Sequence, residues 1–316
     1  MDIVRGLDNL PGAQTRCVVA DGGFDGVHLG HQNLLQRVSR LAQRLQAPAC
    51  VVTYEPLPSE YFSARAEGER LTLLEEKLDF FRATGLDLCV ILRFDRALSG
   101  WDCRRFVCRV FQEGLGAVAV VAGAGHTLGA SGRGTLAVLR RLGAQMGFAV
   151  ESVPDAMHEE ERVSSTSIRD ALRQGDVVKA AAMLGRPYSV CGTVRTGRGI
   201  GEGLGYPTAN LLPDEKKLLP TDGVYAGHAR AGASCYPAVA HVGANATFGE
   251  RQRLVEVHVL DRRIELVGRN VCFEMVERIR ATIRFPSVEQ LKTQIRADVA
   301  RTREILLRRR AGGRRG

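Results

Sequence analysis

The chain has 316 residues, of which 45% are hydrophobic, and a formal net charge of +9 at pH 7. This length predicts two domains, each able to bury a core. The positive charge suits anionic small ligands, and no interleaving of basic and aromatic residues indicates a nucleic-acid site. No run of about 18 apolar residues is present, so we expect neither a membrane span nor a membrane partner.

The cysteine pattern bears on the compartment. Eight cysteines are present without a C-x-x-C pair or the spacing of a zinc site. Several lie in apolar runs, where cysteine acts as a small hydrophobe. The first residues lack the apolar core of a signal peptide. We therefore expect a reduced, cytoplasmic protein.

The first half of the chain alternates apolar runs with helical periodicity. This pattern predicts a parallel sheet covered by helices on both faces, with ligands at the carboxyl ends of the strands. The predicted strands are 17–20, 49–54, 88–92, 118–122 and 148–153. One predicted helix follows Gln32 and another begins near Ser99. The other predicted helices cover 71–84, 135–146, 164–173 and 176–184.

Two segments at predicted strand ends have the composition of phosphate sites. Residues 22–32, GGFDGVHLGHQ, join the first strand to the first helix. Glycines let backbone approach a ligand, and free N–H groups at a helix start bind anions. His28 and His31 can donate hydrogen bonds to a phosphate whose charge grows in a transition state. Residues 164–169, SSTSIR, form a hydroxyl-rich helix start with an arginine, typical of a second phosphate cradle.

The second half has a different sequence pattern. Short β-rich runs separated by glycine turns predict a small antiparallel barrel, followed by a helix that begins near Ser287. The predicted strands are 190–194, 223–226, 238–242, 254–260 and 271–276. A glycine-rich loop, 197–205, can wrap phosphates and precedes Pro207-Thr208-Ala209-Asn210. Glu256 alternates with two valines and so faces away from them.

Together these motifs resemble those of the prokaryotic bifunctional riboflavin kinase/FMN adenylyltransferase (FAD synthetase) family. Residues 22–32 resemble its G-N-F-D-G-V-H-x-G-H-Q segment, 164–169 its S-S-T-x-I-R segment, and 207–210 the P-T-A-N signature of riboflavin kinases. The resemblance implies a doubly wound α/β nucleotidyltransferase domain over residues 1–185. It also implies a riboflavin kinase β-barrel with a C-terminal helix over residues 186–316.

For the first domain the resemblance implies adenylyl transfer. The FMN phosphate attacks the α-phosphorus of ATP, and pyrophosphate leaves. His28 and His31 are the implied catalytic residues, binding the ATP phosphates, and Asp25 is implied to orient the turn or a metal ion. The implied nucleotide- and phosphate-binding residues are Gly22, Phe24, Asp25, Gly30, Ser164, Ser165, Thr166 and Arg169.

For the second domain the resemblance implies riboflavin phosphorylation. Glu256 is the implied general base that takes the proton from the riboflavin 5′-hydroxyl, which then attacks the γ-phosphorus of ATP. Thr208 and Asn210 are the implied Mg²⁺ ligands, because hard oxygen ligands suit that ion. The implied phosphate-binding glycines of the loop are Gly197, Gly203 and Gly205. ATP, riboflavin and FMN are thus the expected small-molecule partners.

The first half departs from the family pattern on the side expected to accept FMN. The family turn F-E-P-H-P is here YEPLP, residues 54–58, with Leu57 in place of histidine. The segment G-x-[DN]-F-x-F-G is here GAGHTLG, residues 123–129, which lacks both aromatic residues; His126 could replace one of them. Gly23 stands where the family usually has asparagine.

These departures leave three functions open. The first is the bifunctional enzyme, which converts riboflavin to FMN and FMN to FAD. The second is a riboflavin kinase whose first half is impaired or uses another acceptor. The third is a flavin- or nucleotide-binding regulatory protein without turnover. Because a binder has no need of a general base, Glu256 argues against the third.

Overall fold

The computed structural model describes residues 1–63, 69–196, 200–244 and 253–312. The predicted phosphate-binding residue Gly197 lies outside the described residues. By its contacts the chain divides into two compact units, Met1–Ser165 and Thr166–Gly316. Each unit is built around its own sheet.

The first unit contains a six-stranded sheet in which every pairing is parallel. Its strands are β1 (Asp2–Arg5), β2 (Val18–Asp21), β3 (Ala49–Glu55), β4 (Leu88–Arg93), β5 (Ala119–Gly123) and β6 (Ala149–Val153). The spatial order is β1-β4-β3-β2-β5-β6, so β3 and β4 lie on one side of β2, and β5 and β6 lie on the other. This places the topological switch point, where such sheets bind ligands, at the carboxyl end of β2.

Helices cover both faces of this sheet, as the sequence predicts. They are α1 (Leu29–Leu45), α2 (Pro58–Phe62), α3 (Leu74–Ala83), α4 (Arg96–Ser99), α5 (Cys103–Phe106) and α6 (Leu136–Met146). Alternate residues of β2 enter different cores: Val18 and Ala20 pack with α1 and α3, whereas Val19 packs with α5 and α6. The doubly wound arrangement is therefore confirmed. A short hairpin, β7 (Met157–His158) and β8 (Glu161–Arg162), follows the sheet.

The second unit is a closed antiparallel barrel, which confirms the predicted fold class. Its strands follow the order β10-β13-β12-β11-β14-β9 around the barrel. Their bounds are β9 (Tyr188–Arg195), β10 (Ala209–Pro213), β11 (Gly223–Ala231), β12 (Ser234–Ala244), β13 (Arg253–Val259) and β14 (Asn270–Arg280). The helices are α7 (Ser165–Gln174), whose first residue is the last of the first unit, α8 (Val177–Leu184), α9 (Ile200–Gly203) and α10 (Val288–Gly312). Val299 of α10 packs with Val224 and Val239 of the barrel.

Helices α7 and α8 group with the barrel, although the predicted domain boundary follows them at residue 185. The buried face of α8 packs on β9 and β14, and the carbonyl of Leu172 in α7 accepts a hydrogen bond from Thr221 N–H at 3.1 Å. These contacts explain why the division by contacts falls earlier in the chain. The boundary at residue 185 stays a prediction.

The cysteines differ in part from the expectation that all are reduced. Cys191 on β9 and Cys272 on β14 are directly opposite each other and form a disulfide. The pairing joins neighbouring strands from distant parts of the sequence, which explains why no local spacing predicts it. The other six cysteines are free thiols. Within the described parts of the chain, every helix is too short or too polar to cross a membrane.

Candidate active sites

The turn between β2 and α1 has a strained backbone. Phe24 and Val27 adopt positive φ angles of 50° and 40°, and Gly26 has a φ of 83°. Positive φ is costly for residues with side chains, above all for a β-branched one, and such strain collects at functional sites. Surrounding contacts must therefore hold the turn in place.

Asp25 supplies one of these contacts. Its buried carboxylate accepts hydrogen bonds from the backbone N–H groups of Leu71 and Thr72, both at 3.0 Å. In return, the Thr72 hydroxyl accepts from Gly26 N–H at 3.0 Å. Ser165 donates its hydroxyl to the Asp25 carbonyl at 2.9 Å. Of the two predicted roles for Asp25, these contacts favour orientation of the turn.

Lys77, which sequence reasoning missed, supplies a second contact. Its ammonium group donates to the Gly23 carbonyl at 3.0 Å and to the Thr53 hydroxyl at 3.1 Å. The side chain is almost fully buried, and this burial lowers the pKa of Lys77 to about 8. Its only sequence signal is a lysine on the buried face of a predicted helix.

The two histidines stack on each other at the start of α1. Their ring centroids are 3.7 Å apart, and His28 Nδ1 accepts from the His31 N–H at 3.4 Å. A Cβ at Gly30 would lie 3.2 Å from His28 Cε1, so the glycine leaves room for the ring. Phe24 packs against His31 with centroids 5.1 Å apart.

Burial determines the charge of His31. It lowers the pKa of His31 well below the usual value, with smaller contributions from His28 and Lys77. The ring is therefore neutral at pH 7 and can donate through one nitrogen only. His31 Nδ1 is buried and has no hydrogen-bond partner among the described residues. An unpaired buried nitrogen of this kind is suited to a ligand.

These residues line a cavity of about 250 Å³ at the carboxyl end of the sheet. The cavity brings together six of the predicted site residues: Gly22, Phe24, His28, Gly30, His31 and Ser164. Asp25 and Ser165 do not line the cavity but stabilise the turn through hydrogen bonds. Thr166, which is exposed, and Arg169 lie one turn apart on α7, and their predicted roles are untested.

The same cavity has a polar cluster that sequence reasoning saw only in part. Tyr54 donates its hydroxyl to Asp21 Oδ1 at 2.5 Å, and His126 Nε2 lies 3.6 Å from Asp21 Oδ2. Burial raises the pKa of Asp21 to about 7 and lowers that of His126 to about 4. The sequence signal for Asp21 is a carboxylate that ends an otherwise apolar strand.

The second candidate site is a cavity of about 360 Å³ in the barrel unit. Thr208, Asn210 and Glu256 all line it. Asn210 and Glu256 are directly opposite each other on β10 and β13, and His241 is opposite Glu256 on β12. The valines that flank Glu256 are buried while Glu256 is half-exposed, so the predicted alternation is confirmed.

The contacts of these residues suit the predicted chemistry. Asn210 Oδ1 is buried and lacks a hydrogen-bond partner among the described residues. His241, which sequence reasoning missed, lies with Nδ1 3.5 Å from Glu256 Oε2 and Nε2 3.1 Å from Thr282 Oγ1. In the described ranges no group of three or more His, Cys, Asp or Glu side chains is placed to hold a metal ion. The roles of Thr208 and Asn210 as Mg²⁺ ligands stay a prediction.

The described part of the glycine-rich loop, residues 200–205, contributes Gly201 and Leu204 to the lining of this cavity. A Cβ at Gly201 would lie 2.4 Å from the Tyr206 carbonyl and 3.1 Å from Thr208 Oγ1, so only glycine fits there. Sequence reasoning chose Gly203 and Gly205 instead. Both are exposed with open space around them, and Gly205 has a φ of 87°. Their predicted phosphate contacts are untested.

Comparisons with known proteins identify both halves. The FAD synthetase family model matches residues 10–167, and the riboflavin kinase model matches residues 184–306. The bifunctional riboflavin kinase/FMN adenylyltransferase of Escherichia coli (strain K12) is 34% identical over 96% of this chain and 98% of that protein. The protein of the same name from Pseudomonas fluorescens is 35% identical over the same shares. The chain belongs to the bifunctional riboflavin kinase/FMN adenylyltransferase family.

A solved structure shares the fold of this family member. It is a crystal structure described as a macrolide-efflux protein from Streptococcus pneumoniae, with a TM-score of 0.87 and 28% identity. The match covers 96% of this chain and 99% of that one. The likeness therefore extends over both family halves.

The departures from the family pattern have local structural explanations. A Cβ at Gly23 would lie 3.6 Å from Leu57 Cδ2, so the residues that replace the usual asparagine and histidine are neighbours. A Cβ at Gly125 would lie 3.1 Å from Arg162 Nη2, so the loss of an Asp or Asn side chain leaves room for a guanidinium group. Both changes alter the lining of the first cavity, where Gly23, Gly125 and Arg162 all lie.

Proposed function

We propose that the barrel unit phosphorylates riboflavin to FMN and that the first unit adenylylates FMN to FAD, with ATP as donor in both reactions. The observation that carries this proposal is that each family half has its own cavity lined by several of the motif residues predicted for it. We also propose that the protein is cytoplasmic and acts on small molecules, with no nucleic-acid or membrane partner.

In the kinase reaction Glu256 accepts the proton of the riboflavin 5′-hydroxyl, which attacks the γ-phosphorus of ATP. His241, held by Thr282, lies beside the carboxylate and orients it. The orphaned Oδ1 of Asn210 and the hydroxyl of Thr208 fit a Mg²⁺ site of oxygen ligands. When bound there, Mg²⁺ neutralises charge on the ATP phosphates.

In the adenylylation reaction the FMN phosphate attacks the α-phosphorus of ATP in line, and pyrophosphate leaves. No covalent enzyme intermediate is needed, so the protein contributes position and charge stabilisation. His28 and His31 donate hydrogen bonds to the ATP phosphates, together with N–H groups at the start of α1. Asp25 and Lys77 hold the turn so that these donors are in place before ATP binds.

The test is one time course. The purified chain is incubated with riboflavin, ATP and Mg²⁺, and riboflavin, FMN and FAD are separated by chromatography. FAD that appears after FMN supports both activities. FMN that accumulates alone, with added FMN also unconverted, contradicts the adenylyltransferase and leaves a riboflavin kinase. Flavin binding without any product contradicts both activities and indicates a regulatory binder.

A further inference from the structure

Three polar side chains in the first cavity region have no part in the phosphate chemistry. Asp21 ends β2, Tyr54 lies near the end of β3, and His126 follows β5 by three residues. Because β2 pairs with both β3 and β5, the three side chains meet at the switch point of the sheet. His126 stands at one of the two aromatic positions that segment 123–129 lacks, and Tyr54 is the first residue of the altered turn 54–58. Two of the segments that depart from the family pattern therefore meet at one spot.

Contacts between these side chains connect them in one row, Tyr54–Asp21–His126. The Tyr54 hydroxyl donates to Asp21 Oδ1, and Asp21 Oδ2 lies 3.6 Å from His126 Nε2. Asp21 and Tyr54 are buried, with exposed fractions of 8% and 6%, and the His126 side chain is 18% exposed. Asp21 and His126 line the same cavity as His28 and His31. This row of polar groups thus extends from the core to the cavity surface.

The charges of the pair determine what His126 can offer a ligand. Since burial lowers the pKa of His126 to about 4, its ring is neutral at neutral and basic pH. The pKa of Asp21 is about 7, so at a higher pH its side chain is a carboxylate. The carboxylate favours the His126 tautomer that carries the proton on Nε2, the nitrogen that faces Asp21. The other nitrogen, Nδ1, is then a hydrogen-bond acceptor. A phenylalanine at this position has no such group.

The neighbouring residue adds donors of the opposite kind. Gly125 leaves room for the guanidinium group of Arg162, which also lines the cavity and forms an ion pair with Asp155 at 3.1 Å. Arginine offers only donors. One acceptor beside several donors matches a ring edge on which an N–H group is flanked by carbonyl groups. The oxidised flavin ring has one such edge, where N3–H lies between two carbonyls.

We propose that His126, oriented by Asp21 and Tyr54, determines acceptor specificity by accepting a hydrogen bond from the N3–H edge of the FMN ring, with Arg162 facing a flanking carbonyl. This inference rests on the proposed adenylyltransferase activity. His126 is a substrate-binding residue, and Asp21 is a positioning residue that acts through it. Segment 123–129 then binds the same ring as the family segment, but through a hydrogen bond from the ring to His126 rather than through aromatic side chains.

The experiment compares FMN with N3-methyl-FMN as acceptors at about pH 8. One hydrogen bond to a neutral group corresponds to a change of about three- to tenfold. We expect wild type to show a KM for N3-methyl-FMN higher by about this factor, with the KM for ATP unchanged. His126→Phe should raise the KM for FMN similarly and remove the discrimination, whereas His126→Gln, which keeps an acceptor, should retain part of it. Asp21→Asn should reduce the ratio of the KM for N3-methyl-FMN to the KM for FMN by a larger factor than it lowers kcat.

Two controls separate the possible failures. His158→Phe removes a histidine outside the cavity lining and should leave both KM values unchanged. Riboflavin phosphorylation by the same chain reports the amount of active protein in each sample. Equal use of the two acceptors by wild type, or discrimination that survives in His126→Phe, overturns the inference. Absence of FAD from wild type with FMN overturns the proposed function, and the inference with it.

Discussion

The clearest prediction concerns Asp25, whose carboxylate holds the histidine turn without lining the cavity. In Asp25→Ala the backbone N–H groups of Leu71 and Thr72 lose their buried acceptor. Each buried donor left without a partner costs about 1–3 kcal/mol, so the first unit should lose about 2–6 kcal/mol of stability. A domain is typically stable by only about 5–15 kcal/mol. The strained turn should therefore lose its defined conformation.

The assay follows urea unfolding together with both reactions. We expect Asp25→Ala to shift unfolding of the first unit to lower urea and to reduce FAD formation, while FMN formation continues in the barrel. Asp79→Ala is the matched control, because that carboxylate is 76% exposed and pairs with Arg82 on the helix surface. Such pairs contribute little. If Asp25→Ala unfolds at the same urea concentration as wild type, Asp25 does not hold the turn.

Three further predictions concern the catalytic groups and their support. His31→Ala should lower FAD formation by about a hundredfold or more, as expected for a lost donor to a charged transition state, with FMN formation unchanged. Glu256→Gln should lower FMN formation by at least about a hundredfold, because the general base is lost. In wild type the free energy of unfolding should rise between about pH 8 and 10.5, and Lys77→Met should abolish this rise. In that range the unfolded chain keeps a proton on Lys77 that the folded protein has released, so wild-type stability increases with pH.

Each of these has its own check. Near-normal turnover of FMN to FAD by His31→Ala contradicts the phosphate-binding role. Glu274→Gln, on β14, which does not pair with the strand of Glu256, is the control for Glu256 and should retain kinase activity. Circular dichroism of Glu256→Gln should match wild type. A pH profile of urea unfolding that is the same for Lys77→Met and wild type contradicts the buried state of that lysine.

The fold could largely be predicted from the sequence because its strong signals are local. Buried strands appear as apolar runs, and helix faces appear as periodic leucines and valines. Besides the two-residue strands β7 and β8, the strands β1 and β10 are absent from the sequence prediction. Each has only four or five residues, and β1 has exposed ends, so neither forms a recognisable apolar run.

The candidate sites could be predicted only where their residues lie in one motif. His28, His31 and Asn210 stand in short patterns with a clear chemical meaning. The groups that hold them come from distant segments: Lys77 is 54 residues from Gly23, and Tyr54 is 33 residues from Asp21. Sequence spacing does not indicate such contacts, because they depend on which strands and helices are neighbours in the sheet.

Barrel closure determines the order in which the second unit can be completed during synthesis. Strand β9 pairs with β14, and the paired residues Cys191 and Cys272 are 81 residues apart. At about 5–20 residues per second, β9 waits about 4–16 s before its last partner is made. During that time the hydrogen-bonding edge of β9 that faces β14 is open, and an open strand edge is a site for pairing with other chains. Translation rate and nascent-chain crowding therefore bear directly on the yield of folded kinase.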